Sequence, residues 1–164
     1  MLSNTMQITI VAVGKVREPF VKDGLNTYRS RLAPCHSLTF IDLPDERVPA
    51  KISPKQKTTI MEAEWNRFLE SGLRAAVTIA LDPGGVLLSS EELASKMNQY
   101  ELEGRGSVAF LIGGPLGLPA VVRQQADLVL SLSRMTFPHQ LVRLILIEQL
   151  YRATCINRNI PYHK

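Results

Sequence analysis

The chain has little cysteine: Cys35 and Cys155 are its only two in 164 residues, far apart and without CxxC or Cys/His spacing. That excludes a disulfide framework and a cysteine-based metal site, and two reduced thiols fit a cytoplasmic protein. No apolar run approaches the ~18 residues that span a bilayer, and the opening Met1-Leu2-Ser3-Asn4-Thr5 has no basic n-region or apolar core. A soluble intracellular protein is expected, with no membrane partner and no metal. Residues 1–5 read as an N-terminal extension. Repeats and low-complexity segments are absent too, so residues 1–164 are expected to form one domain around one core.

Several catalytic signatures are also missing. No GxGxxG opens a helix, no GxxxxGK[ST] is present, and no nucleophile elbow brings serine, histidine and aspartate together. Dinucleotide, P-loop and serine-hydrolase sites are therefore disfavoured. What is present instead is Val108-Ala109-Phe110-Leu111-Ile112 followed at once by Gly113-Gly114-Pro115-Leu116-Gly117. An apolar strand that ends in a glycine-dense turn suits positive φ and close approach to bare main chain. Carboxyl ends of strands are where α/β proteins hold ligands.

The pattern along the chain alternates strands and helices. Gln7 to Val13, Ser37 to Leu43, Ala75 to Leu81, Val108 to Ile112 and Leu128 to Leu132 read as strands. Helices are expected from Pro19 to Leu32, from Pro54 until Gly72, from the Ser89/Glu92 capping box until Gly104, over Pro119 to Ala126, and from about Gln140 to Arg158. Phe20, Leu25, Tyr28 and Leu32 form the expected stripe of the first helix. Ile60, Met61, Trp65, Phe68 and Leu69 form that of the second. The fold expected is α/β with a largely parallel sheet of five to six strands. Asp82-Pro83-Gly84-Gly85 reads as a second glycine turn that ends the third strand, and Pro44 to Lys57, with three prolines, as a surface loop.

Charge is distributed unevenly. Residues 119–164 hold Arg123, Arg134, Arg143, Arg152, Arg158 and Lys164 against Asp127 and Glu148, whereas the rest of the chain carries thirteen charges of each sign. The whole formal excess of +4 thus sits in the last quarter, which points to a polyanionic partner such as nucleic acid. The final helix is apolar around more than one face, through Leu141, Val142, Leu144, Ile145, Leu146, Ile147, Leu150 and Tyr151. Such a helix needs cover on two sides, from a symmetric homodimer or from deep placement within the monomer. Of the histidines, His36 reads as a surface residue, His139 as a capping residue beside a candidate ligand turn, and His163 as part of a tail suited to stacking on and pairing with RNA.

The order LIGGPLGL, LSLSRMTFPHQLVRLILIEQLYRA and terminal PYHK, with the opening QITIVAVGK, resembles the RlmH family of SPOUT-class methyltransferases, which modify a pseudouridine in large-subunit ribosomal RNA. The resemblance runs from Met6 to Lys164. It implies a C-terminal trefoil knot, a homodimer, and S-adenosylmethionine held by three turns at Leu81, Gly113 and Leu132, Ser133, Arg134, Met135, Thr136 and Phe137. It further implies transfer of a methyl group to N3 of the pseudouridine. His163 is then the expected base or substrate-positioning group, with Tyr162 beside it, and Arg134, Arg143 and Lys164 are expected phosphate contacts. The tail 160–164 faces substrate. Some members carry histidine at the position of Ile160 and a polar or acidic residue at that of Leu116, so neither residue is assigned a catalytic role.

Overall fold

The computed structural model describes residues 5–164, and the remainder of the expected N-terminal extension lies outside them. Five strands alternate with five helices: β1 (Gln7–Val13), α1 (Pro19–Leu32), β2 (Ser37–Leu43), α2 (Pro54–Glu70), β3 (Val77–Leu87), α3 (Ser90–Leu102), β4 (Ser107–Ile112), α4 (Ala120–Gln125), β5 (Leu128–Ser131) and α5 (His139–Asn157). All strand pairs are parallel, in the order β2-β1-β4-β3-β5.

Side chains alternate across a strand, so β1 feeds two cores. Ile8, Ile10 and Ala12 join Leu32 of α1, Leu93 and Met97 of α3 and Leu146, Ile147 and Leu150 of α5 on one face. Val11 and Val13 join Trp65 of α2 and Val122 of α4 on the other. Each fully buried Ile or Leu adds about 1.5–3 kcal/mol of apolar transfer, so both helix layers are tied to the sheet. Both Ser53 and Ser89 close complete capping boxes, with Gln56 and Glu92, which fixes where α2 and α3 begin.

The apolar stripes depart from expectation at their ends. Phe20 is 59% exposed and Leu69 57%, whereas Glu64 lies buried beside Trp65. Within these stripes Leu32, the last residue of α1, and Trp65 of α2 are fully buried, while Leu25, Tyr28 and Phe68 are half-buried against the two cores. A larger departure is β3. The turn Asp82-Pro83-Gly84-Gly85 does not end it: pairing with β5 runs to Leu81↔Leu130, breaks register, and resumes at Val86↔Leu130 and Leu87↔Ser131. The four residues form a bulge. Glycine is required at 85 because a Cβ there would stand 2.6 Å from the Val129 carbonyl oxygen of β5.

His36 also differs from its expected surface position. It is buried, and its ring links the chain start to α5. The Met6 N–H donates to Nδ1 at 3.2 Å, and Nε2 lies 3.1 Å from Thr154 Oγ1. Because the Thr154 hydroxyl donates its hydrogen to Leu150 O at 2.8 Å, His36 must donate from Nε2 and accept at Nδ1. A neutral imidazole is built in. Burial, helped by Arg158, lowers its pKa from 6.5 to about 4.

Candidate active site

The bulge of β3 and the carboxyl ends of β4 and β5 open into one cavity of about 480 Å³. Three segments build its walls. From β3 come Leu81, Asp82 and Pro83; from β4 come Ile112 and the turn Gly113 to Gly117; after β5 come Leu132, Ser133, Met135, Thr136 and Phe137. Pro138, His139 and Val142 at the start of α5 close it. The volume falls within the ~300–1,000 Å³ of small-molecule sites.

The glycine turn is tight for a reason internal to the chain. A Cβ at Gly113 would lie 2.5 Å from the Gly117 carbonyl carbon, and Gly117 N–H donates to Gly114 O at 2.9 Å. Main chain therefore approaches main chain here, and a side chain at 113 has no room. Positive φ is confined to Gly117, at +86°, so the expectation of positive φ holds for one of the three glycines. Gly114 is looser: its Cβ would meet Val13 Cγ1 at 3.1 Å and Glu64 Oε2 at 3.7 Å. Glu64 supports this turn from below. Its carboxylate accepts the Glu46 N–H at 3.0 Å, and burial, opposed by that bond, pushes its pKa up. Arg67 fixes the same 44–46 segment by donating to Pro44 O and pairing with Glu46.

The expected cofactor residues converge, except for one. Leu81, Gly113, Leu132, Ser133, Met135, Thr136 and Phe137 all line the cavity, while Arg134, in the same segment, does not line it and is exposed. Ser133 shapes its own turn, with its Oγ accepting the Met135 N–H at 3.0 Å.

Arg143 requires a correction. It is only 2% exposed, and its guanidinium donates to Asp42 Oδ1 at 2.7 Å and to the carbonyls of Val13 and Gly14 at 3.1 and 2.5 Å. A cation committed to the carboxyl ends of β1 and β2 does not reach a surface phosphate. It holds α5 to the sheet.

Tyr162, His163 and Lys164 do not line the cavity of their own chain. The tail folds back along α5 instead. Tyr162 Oη donates to Glu148 Oε1 at 3.0 Å and lies 3.2 Å from Tyr28 Oη, and burial with these bonds drives its pKa well above the usual tyrosine value. His163 is held at both nitrogens, with Nδ1 3.1 Å from Arg152 Nη1 and Nε2 2.8 Å from Glu91 Oε1. Lys164 is exposed.

The two ionisable side chains among the wall residues are Asp82, which sequence reasoning did not single out, and His139, which it read as a capping residue beside a ligand turn. Asp82 was masked by the apparent turn, and its carboxylate accepts the Gly84 N–H at 2.9 Å. His139 is the first residue of α5 and half-buried. Burial first, and then Arg143, push its pKa below the ordinary histidine value, with Asp45 opposing. Among the described residues no three His, Cys, Asp or Glu side chains gather as a metal site. No helix there is long and apolar enough to cross a membrane.

A parallel α/β domain with a largely apolar cavity at the strand ends, walled by bare glycine backbone, defines a small-molecule-binding enzyme fold. The model for the family described as "Predicted SPOUT methyltransferase" matches residues 6–163, and the chain belongs to that family. It is 46% identical over 159 residues to "Ribosomal RNA large subunit methyltransferase H" of Carboxydothermus hydrogenoformans, covering 97% of this chain and 100% of that one. The protein of the same name from Moorella thermoacetica is 47% identical, with coverage of 97% and 99%. In fold the chain is similar to the crystal structure of a probable methyltransferase from Bordetella pertussis Tohama I. The TM-score is 0.55 at 12% identity, covering 93% of this chain and 98% of that one.

Proposed function

We propose that this chain transfers the methyl group of S-adenosylmethionine to N3 of a pseudouridine in large-subunit ribosomal RNA. The observation that carries the reading is the identity of 46–47% to proteins named ribosomal RNA large subunit methyltransferase H, over 97% of this chain. The cavity fits the methyl donor. Its apolar side chains Leu81, Leu132 and Phe137 can enclose an adenine ring, and main-chain groups of the turns at 113 and 132–137 can satisfy its polar edge. The donor supplies an electrophilic methyl group on a sulfonium. Protein residues then orient the acceptor base, exclude water and accept the N3 proton.

In this reading the protein works in the cytoplasm as a homodimer on a ribosomal particle, with the C-terminal segment knotted around the donor. The half-buried faces of Leu141, Leu144 and Ile145 on α5 suit a subunit contact. Tyr162, His163 and Lys164, remote from the cavity of their own chain, position substrate at the partner's. Arg134, exposed at the cavity rim, contacts phosphate. The test is incubation of ribosomal particles, free large subunits and naked ribosomal RNA with methyl-labelled S-adenosylmethionine. Label is expected in large-subunit RNA. Binding of the particle with no label incorporated would favour a non-catalytic RNA-binding protein, and label in another RNA would favour a different target.

A further inference from the structure

We infer that His139, and not the tail histidine, accepts the N3 proton during methyl transfer; this rests on the methyltransferase reading above. Uridine-type N3 carries a proton, so its electron pair is free to attack only as that proton leaves. The acceptor must reach the cavity and hold an unused lone pair. His163 fails the second requirement. Arginine can only donate, so the Arg152 contact occupies the His163 Nδ1 lone pair, and Nε2 must then carry the hydrogen given to Glu91. Asp82 reaches the cavity, but its carboxylate is engaged with the Gly84 N–H and sits 3.8 Å from the Arg123 guanidinium.

His139 meets both requirements. It lines the cavity, and among the described residues no hydrogen bond is among the influences on its ring. The groups facing it are Arg143 on its own helix, Arg17 from the segment after β1, and Asp45 from the segment after β2. Burial of the ring first, and then the two cations, keep it neutral before reaction, and the amino end of α5, where no side chain caps the first N–H groups, acts in the same sense. Asp45 offsets the charge once the proton arrives.

The step balances. The N3–H bond breaks and its proton passes to the imidazole; the N3 electron pair forms the N–C bond; the C–S bond breaks and its pair stays on sulfur as a neutral thioether. The positive charge of the sulfonium is thus replaced by that of imidazolium, which releases its proton to solvent.

The experiment is single-turnover methylation of ribosomal particles at saturating S-adenosylmethionine from pH 5.5 to 9, with wild type, His139→Gln and His163→Gln. Donor affinity is measured in parallel by calorimetry. Wild type should lose rate on the acid side as His139 takes up a proton. His139→Gln should bind donor within about twofold of wild type, be slower by about 100-fold or more at pH 7, and lose the acid limb. His163→Gln should keep the limb whatever its rate. A second variant, His139→Gly, should regain rate when imidazole is added. The inference is overturned if His139→Gln keeps the wild-type rate or limb, if the limb disappears in His163→Gln, or if imidazole fails to rescue. Absence of transfer by wild type would instead overturn the methyltransferase reading itself.

Discussion

Acidification should destabilise this fold through one residue. His36 is neutral when folded, with a pKa of about 4, against 6.5 for an unperturbed histidine. Between these values the unfolded chain binds a proton that the folded chain refuses, so stability is full above pH 6.5 and falls as the pH drops toward 4. The complete interval corresponds to about 3 kcal/mol, and the part lost between pH 7.5 and pH 5 to about 2 kcal/mol. The physical source is burial of the ring, helped by Arg158, and protonation at Nδ1 would also leave the Met6 N–H without its acceptor. Urea unfolding at pH 7.5, 6.5, 5.5 and 5 measures the slope for wild type and for His36→Gln. The variant removes the titrating group, so the difference between the two proteins isolates His36 from every other acid. Wild type should lose about 2 kcal/mol more than the variant over this range. Equal losses would refute both the tautomer and the burial argument.

Other substitutions separate the roles assigned around the cavity. Gly113→Ala should weaken S-adenosylmethionine binding by tenfold or more in calorimetry, because the methyl group forces the turn at Gly117 apart, whereas Gly114→Ala should change it by less than about threefold. Arg143→Ala should lower unfolding free energy by about 3 kcal/mol, by leaving the Val13 and Gly14 carbonyls and part of the helix interface without a partner. An unchanged melting profile with weakened RNA binding would restore Arg143 to the surface role first expected. If the tail completes the partner's site, mixing Gly113→Ala with His163→Ala subunits should recover up to about a quarter of wild-type transfer from two nearly inactive proteins; no recovery would place the tail's role within one chain.

The strands, the helices and most of the cavity wall were legible in the sequence because their causes are local. Apolar and β-branched residues made β1, β2 and β4, and the serines before α2 and α3, Ser53 ahead of Pro54 and Ser89 in its box with Glu92, started those helices. Features set by distant partners were not legible. The bulge in β3 depends on the β5 backbone beside Gly85; read alone, Asp82-Pro83-Gly84-Gly85 has the composition of a terminating turn. His36 is buried by Met6 and by Thr154, 118 positions away. Arg143 looked like one cation in a basic quarter, although its place within an otherwise apolar helical run was the available clue to its pairing with Asp42. The turn at 132–137 reads from the residues as one of three turns at strand ends, the family resemblance gave it the cofactor, and the cavity brings all of it except Arg134 to the wall.

The central claim is the identity of the product. Large-subunit RNA from particles lacking the modification, reacted with this protein and S-adenosylmethionine bearing a deuterated methyl group, can be digested to nucleosides and resolved by mass spectrometry. The account predicts one deuterated methyl group per particle, on N3 of pseudouridine. A deuterated methyl group on any other nucleoside, or none on the RNA, would contradict it.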